Sequence, residues 1–306
     1  MVDRQYHSAE SLGLSSTTST SDQAKTSISF TPDANRDYMF LGGITKSSLA
    51  GGNTNRCYPR GVNSSGTQQS YACSEASKAG STDQHGAGGL MVFSAGASPS
   101  AETFYQYFRV LGSTTAYVRN ATQIALRLES NDEFISVTTD YSTTSATWSD
   151  VGSGLTFTPP STGDYLILAC CTTQYDGNTQ LRTFGTRLDI DGTTYREELH
   201  HIYSANSGNR QNTHVHAMVV NLDATEHNIV WQFQENSSYT LTFRDHVIVA
   251  LRLDDFPDYE YDQSESSQGT TSSSYGDSDC SLTITPENED HLIISTATIG
   301  CGAGGA

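Results

Sequence analysis

Four histidines stand close together in this chain, the pair His200 and His201 and then His214 and His216. In a strand, alternate residues point the same way, so His214 and His216 share a face and could chelate zinc or nickel through their imidazoles. That face continues through Met218, Val220 and Leu222, which is apolar. Strand histidines at a sheet edge or a subunit contact are therefore favoured over ligands, and no metal and no cofactor is expected. Asp189 and Asp191-Gly192 have the start of a calcium loop, but the third acid and the closing Glu are absent, and a tight hairpin explains them better. The run Asp254, Asp255, Asp258, Glu260 and Asp262 is read as a solvated linker, with calcium between modules as the alternative.

Catalysis finds little footing. There is no G-x-S-x-G elbow, Gly-rich phosphate loop or H-E-x-x-H. Glu197 and Glu198 are neighbours, so on a strand they face opposite ways and cannot act as a carboxylate pair. No catalytic residue is expected. Tyr58, Tyr71, Tyr175 and Tyr203 are read as loop aromatics that could stack on a sugar. Asn63, Asn120 and Asn236 fall in sequons that Ser/Thr-rich sequence produces by chance. Of the six cysteines, Cys57, Cys73, Cys170, Cys171, Cys280 and Cys301, none form a C-x-x-C or Cys/His zinc pattern. Cys170 and Cys171 are adjacent in a strand-like run, so they point to opposite faces, and at least one serves as a small buried hydrophobe.

The elements that must position these residues are strands, and they repeat. SISFTPDANRDYMFLGG from Ser27, GLTFTPPSTGDYLILAC from Gly154 and SLTITPENEDHLIISTA from Ser281 align. Thr31-Pro32, Thr158-Pro159 and Thr285-Pro286 recur at a constant interval of about one small domain. YVRNATQIALRL ending at Leu128 matches TFRDHVIVALRL ending at Leu253, pairing Arg119 with Arg244. FYQYF at 104–108 is aligned with VWQFQ at 230–234, and LMVFSAG at 90–96 with AMVVNLD at 217–223. Two units are complete and the third shows its opening strands only.

Period-two alternation predicts strands with one buried face. Leu241, Phe243, Val247, Val249, Leu251 and Leu253 are placed together on one face, as are Val118, Ile124, Leu126 and Leu128. Turn signals such as Asp176-Gly177 and Asp191-Gly192 separate the strands, and no helical period survives. The expected fold is all-β: tandem antiparallel β-sandwich modules of jelly-roll type. Polar segments at 130–153 and 254–279 are read as linkers. The expected divisions are an N-terminal attachment arm at 1–20, modules at 21–135 and 136–265, and an incomplete third module at 266–306. The middle of the first module, from Leu49 to Gly89, is expected to be long loops.

The formal net charge is −18, with only three lysines, Lys25, Lys46 and Lys78. A field of that sign repels nucleic acid and anionic membranes. No apolar run is long enough to span a bilayer as a helix, and the N-terminus has no secretory signature.

The order ATWSDVGSGLTFTPPSTGDYLILA, LDIDGTTY and TFRDHVIVALRL resembles a jelly-roll module of tailed-phage and environmental viral structural proteins. More distantly it is similar to trimeric heads of the tumour necrosis factor and complement type. The resemblance implies a non-enzymatic virion protein, a tail or head fibre projecting toward the host. It implies a homotrimer, attachment to other virion proteins through the arm, contact with host surface glycans, and assembly in the host cytoplasm. A carbohydrate-binding adhesin and a capsid decoration protein are the alternatives. Leu292-Ile293-Ile294, unable to stand alone as an apolar strand, is expected to be paired.

Overall fold

A computed structural model describes residues 4–48, 56–62, 69–72, 75–76, 85–111, 115–175, 181–203, 210–235, 240–257, 259–264, 280–285 and 292–295. The first ten strands are β1 (Tyr6–Ser11), β2 (Ser15–Thr17), β3 (Gln23–Phe30), β4 (Asp37–Ser48), β5 (Arg56–Val62), β6 (Gln69–Ala72), β7 (Glu75–Ala76), β8 (His85–Ser94), β9 (Glu102–Leu111) and β10 (Ala116–Arg127). The next ten are β11 (Glu133–Val137), β12 (Tyr141–Thr143), β13 (Ser149–Asp150), β14 (Leu155–Phe157), β15 (Gly163–Tyr175), β16 (Leu181–Ile190), β17 (Thr193–Tyr203), β18 (Arg210–Leu222), β19 (His227–Glu235) and β20 (Leu241–Arg252).

The first ten strands form two sheets in the orders β1-β10-β4-β8 and β3-β9-β5-β6, with β2 on β10 and β7 on β5. The next ten repeat the plan as β11-β20-β15-β18 and β13-β19-β16-β17, with β12 on β20 and β14 on β19. Every described pairing is antiparallel and stays within its own set of ten. Two four-stranded orders built from interleaved early and late strands are the jelly roll, here present twice. The sheets β1-β10-β4-β8 and β11-β20-β15-β18 are called the inner sheets below.

Several expectations are corrected. The arm expected at 1–20 carries β1 and β2, which pair with β10. The linker expected at 130–153 carries β11 and β12, which pair with β20 in the same manner. These segments are polar because they are edge strands with one wet face, and edge strands resist further pairing by being short and polar. The division between the jelly rolls therefore falls between Arg127 and Glu133, ahead of the expected 135/136. The stretch expected to be loops in the first module supplies β5, β6 and β7, in the positions of β16 and β17.

A second correction concerns faces. Asn120 and Asp245 have positive φ, 51° and 43°, in the left-handed region. At Asn120 the register of β10 against β4 shifts between Arg119 and Thr122. At Asp245 that of β20 against β15 shifts between Cys170 and Thr172. Each is a bulge, which adds a residue and swaps the faces beyond it. Leu241 and Phe243 therefore face the second module's core along with Ile248 and Ala250, whereas Val247, Val249 and Leu251 face the other way. In β10, Val118 faces its module's core while Leu126 and Leu128 face out.

A third correction is one of alignment. Phe30 lies opposite Glu102 and Phe157 opposite His227, and from there the register equates Gln106 with Trp231 and Phe108 with Phe233. Gln232, expected to match Gln106, is on the outward face of β19 and meets Arg187 and Asp150.

Residues 280–285 and 292–295 lie in no strand, so Leu292-Ile293-Ile294 is not paired as expected. The topology supplies the reason. In each jelly roll the early strands pair with late ones: β3 with β9, β4 with β8 and β10. No later strand of the third repeat is among the described residues.

Candidate functional site

The sequence-predicted site residues are brought to places where each is committed to packing. β18 is paired along its length with β15, which sets His214 opposite Cys171 and His216 opposite Ala169. Both imidazoles point into the second core. His214 Nε2 lies 2.8 Å from Thr173 Oγ1, and its ring meets Phe184 edge-on. His216 lies against Trp231, with Nδ1 3.8 Å from Glu198. Both lie on β18, the edge strand of the second inner sheet, as expected, with their imidazoles turned inward. Only the backbones of His200 and His201 are described, on β17.

Asp189 accepts the Gly192 N–H at 2.8 Å and so closes the β16–β17 hairpin, where Asp191 and Gly192 both have positive φ. Asp191 accepts the Asn228 N–H and holds His227 Nδ1, while His227 Nε2 faces Asp223. Burial alone lowers the His227 pKa, but its hydrogen bonds to Asp191 and Asp223 and the charges of those two acids outweigh it, so it is raised. This His between two acids ties the β16–β17 turn to the β18–β19 turn. Sequence reasoning missed it because the three residues are brought together only by the topology.

Of the acidic run, Asp254 meets Arg252, Asp255 accepts from Asn131, and Asp262 accepts the Ser281 N–H. Glu260 is exposed, and Asp258 lies outside the described residues. Glu197 pairs with Arg187 and Glu198 with His216, on opposite sides of β17. Tyr58, Tyr71, Tyr175 and Tyr203 have their backbones in β5, β6, β15 and β17, so they are strand residues and not loop aromatics; their side chains lie outside the described residues. Asn120 is the bulge residue; Asn63 and Asn236 lie outside the described residues, as do the side chain of Cys57 and all of Cys73 and Cys301.

Cys170 and Cys171 are both buried and neither is in a disulfide, and they do point to opposite faces. Burial pushes the Cys170 thiol up to about 12 and raises that of Cys171 well above its usual value. A thiol held protonated is neither nucleophile nor metal ligand. Cys171 belongs to the second core. Cys170 belongs to a different cluster, and that cluster is the main feature the sequence reading did not find.

The cluster is a seam between the two jelly rolls. Met39, Leu90, Val92, Leu126 and Leu128 from the outward face of the first inner sheet meet Leu168, Cys170, Val247, Val249 and Leu251 from the second. Leu41, Leu166, Phe134 and Phe256 pack around them. Burying each such side chain is worth about 1.5–3 kcal/mol, so ten of them hold the two sandwiches face to face. The signal was present in the sequence. Leu166–Cys171 and Val247–Leu251 are apolar at every position, the mark of a strand buried on both faces.

The seam is closed by a buried ion pair. Arg4 donates to both carboxylate oxygens of Asp132, the second contact being 3.0 Å, and the side chains are 5% and 0% exposed. Asp132 also accepts the N–H groups of Glu129 and Arg252. The Arg4 guanidinium lies 4.1 Å over the Phe256 ring. Residues just before β1, just before β11 and just after β20 thus converge on one point.

No protein family matches the chain, and no curated protein matches it. Solved structures align loosely. The tandem CBM22-1-CBM22-2 domain of Paenibacillus barcinonensis Xyn10C is 10% identical over 80% of this chain and 93% of that one, with a TM-score of 0.21. Dimeric latent PorU from Porphyromonas gingivalis is 8% identical over 72% of this chain and 24% of that one, at 0.31. The infectious bursal disease virus Gx strain structure is 11% identical over 83% and 74%, at 0.25. None of these likenesses bears on what the chain does.

Proposed function

We propose that this chain is a structural protein of a virion, a tail or head fibre component built from repeated jelly rolls and projecting toward the host. The observation that carries the reading is the seam. Two copies of one fold are clamped face to face through ten apolar side chains and a buried Arg4–Asp132 pair. The residues with chemical potential, namely His214, His216, Cys170, Cys171 and Asp189, are committed to cores and turns. That is the economy of a rigid building block. The resemblance of the WSD, FTP, GDYL and ALRL elements to viral jelly-roll modules points the same way.

The reading drops one element. Attachment through a free N-terminal arm does not fit a segment whose residues 6–17 belong to the first inner sheet. Homotrimerisation belongs to the proposal, but not through the outward faces of the inner sheets, because these cover each other. No helix among the described residues is long and apolar enough to cross a membrane.

Electron microscopy of particles from the source, labelled with gold-coupled antibody to this chain, tests the proposal. Label on tails or at fixed positions on heads is the expected result. Regular label over the whole capsid lattice would move the assignment to a decoration protein. Label on cell surfaces without particles, with the purified chain binding a glycan array, would replace it with an adhesin.

A further inference from the structure

In each inner sheet one edge is made by two short strands with a gap between them, and the gap falls at the bulge. β11 pairs with β20 as far as Val137 opposite His246, and β12 resumes with Tyr141 opposite Phe243. Thr138, Thr139 and Asp140, all exposed, bridge the gap beside Arg244 and Asp245. In the first module Leu12, Gly13 and Leu14 bridge the same gap beside Asn120 and Ala121. None of those five residues titrates. The second module places a histidine there.

His246 is 1% exposed, and neither ring nitrogen has a hydrogen-bond partner among the described residues. Its ring neighbours are Tyr141 at 6.0 Å and Phe243 at 6.4 Å. On β15 the bulge lies against Cys170 and Cys171, whose thiols burial holds protonated. The other buried titratable side chains facing this core are Tyr165 on β15, His214 and His216 on β18 and Glu235 on β19. Burial lowers the His246 pKa to about 4, and no neighbouring charge offsets it. The charges stand at the gap: Arg244 pairs with Asp140 at 3.0 Å, and Asp245 precedes His246 in the chain. An imidazolium without a partner is costly in an apolar site, whereas at the gap it reaches water and the Asp140 carboxylate.

We propose that the gap is an acid-operated latch: on taking up a proton His246 leaves the core through it, and β11 and β12 detach from β20 while β15, β16, β18 and β19 stay paired. The movement reaches the seam, because Phe134 of β11 packs there and Asp132, the partner of Arg4, stands just before β11. Outside the core a histidine titrates near 6.5, so opening is favoured increasingly as pH falls from there and levels off through about 4. Asp245 works against it. Its pKa is raised by burial and then by Asp140, so proton uptake there favours the closed form. The latch does not depend on the protein belonging to a virion.

Hydrogen exchange of the full chain at pH 7 and pH 5, corrected for the intrinsic pH dependence of exchange, reads the latch segment by segment. Protection in β11 and β12 is expected to fall about twentyfold, the ratio set by a histidine that titrates at 6.5 when open and at about 4 when closed. β15, β16, β18 and β19, and β1 and β2 of the first module, are expected to keep their protection. Hydroxyl-radical footprinting is expected to show Phe134 more reactive at pH 5. His246→Phe and His246→Leu fill the site without a titrating group, and the one that melts at pH 7 as the parent does is expected to show no fall. Protection lost equally in β15 and β18 would mean that the whole module unfolds, and would overturn the latch. So would an acid response that survives in the His246 variant, or a parent with no response.

Discussion

The two complete modules have one topology and two kinds of interior. In the second, Trp231, Phe233, Phe243, Phe184, Tyr165 and Ile167 belong to a single cluster that runs from end to end of the sandwich. In the first, the described core falls into two clusters. One surrounds Phe104, Phe40 and Tyr38, and the other Val110, Phe108 and Val118. Gln106, fully buried, lies where the second module has Trp231, and its Nε2 donates to Thr122 O at 2.8 Å. The strands facing it are also thinner: Gly42 and Gly43 pair with Gly89 and Gly88, where the second module pairs Ala169 and Cys170 with His216 and Val215. The order of strand pairing is evidently insensitive to how the interior is filled. One module fills the space with an indole and the other bridges it with an amide whose Nε2 donates to the Thr122 and Gly43 carbonyls, while its Oε1 has no partner among the described residues.

The largest test is to exchange one solution for the other. Trp231→Gln removes the indole and leaves a cavity and a buried amide in its place. A loss of about 3–5 kcal/mol is expected, combining the cavity and the unpaired group. Hydrogen exchange in β15 and β19 of the full chain reads it, with β4 and β9 as the internal control. A loss under ~1 kcal/mol would mean that the difference between the interiors carries no energetic weight.

Acid separates the modules next. The residue after the bulge is Ala121 in the first and His246 in the second. His246 is buried beside Phe243 and Tyr141, and burial lowers its pKa to about 4. The folded value lies below the unfolded one. The corresponding stability is therefore fully present above pH ~6.5 and is lost as pH falls from there through about 4, roughly 3 kcal/mol in all. His227 acts in the opposite sense, because its raised pKa adds stability below its unfolded value that fades as pH rises. Melting curves between pH 7 and 4 should show the second module weakening faster than the first. His246→Ala should flatten the difference, and an unchanged pH slope in that variant would remove His246 from the account.

The reverse exchange at the first module is smaller. Gln106→Leu leaves the Thr122 and Gly43 carbonyls without the amide and should cost about 1–3 kcal/mol, seen as faster exchange in β9 and β10. Gln232→Ala, on the outward face, should change little, within ~0.5 kcal/mol. Equal effects at the two glutamines would restore the simple alignment of FYQYF with VWQFQ and break the equivalence of Gln106 with Trp231.

That alignment shows where the sequence was legible and where it was not. The 3.3 Å rise and period-two alternation of strands leave a strong mark, so the all-β class and the repeated unit could be read directly from Thr-Pro, D-G and ALRL. The aiming of His214 and His216 along Met218, Val220 and Leu222 was legible for the same reason, and it leads from the edge strand β18 into the core. Two things were hidden. Edge strands such as Tyr6–Ser11 and Glu133–Val137 carry linker composition because only one of their faces is covered. A bulge shifts the count by one residue, so Val247, Val249 and Leu251 were assigned to the core when they build the seam. The seam was hidden in turn, since a face assigned to the core cannot also be seen as an interface.

The bulges are the smallest test and the one that reaches furthest. Asn120 and Asp245 follow Arg119 and Arg244 at the same step of the repeat, and both take positive φ. Asn and Asp tolerate that conformation better than other residues with a side chain, because the short polar group can bond locally, while glycine tolerates it freely. Asn120→Ala and Asp245→Ala should therefore each cost on the order of 1 kcal/mol, and the Gly variants should lie within a few tenths of the parent. Denaturant unfolding of all four checks the pattern. Alanine and glycine variants of equal stability would mean that the bulge is held by the flanking pairings and not by these residues. The face of Val247, Val249 and Leu251, and with it the seam, would then be set by the strands on either side, β4 against β10 and β15 against β20, with the residue at the bulge merely accommodated.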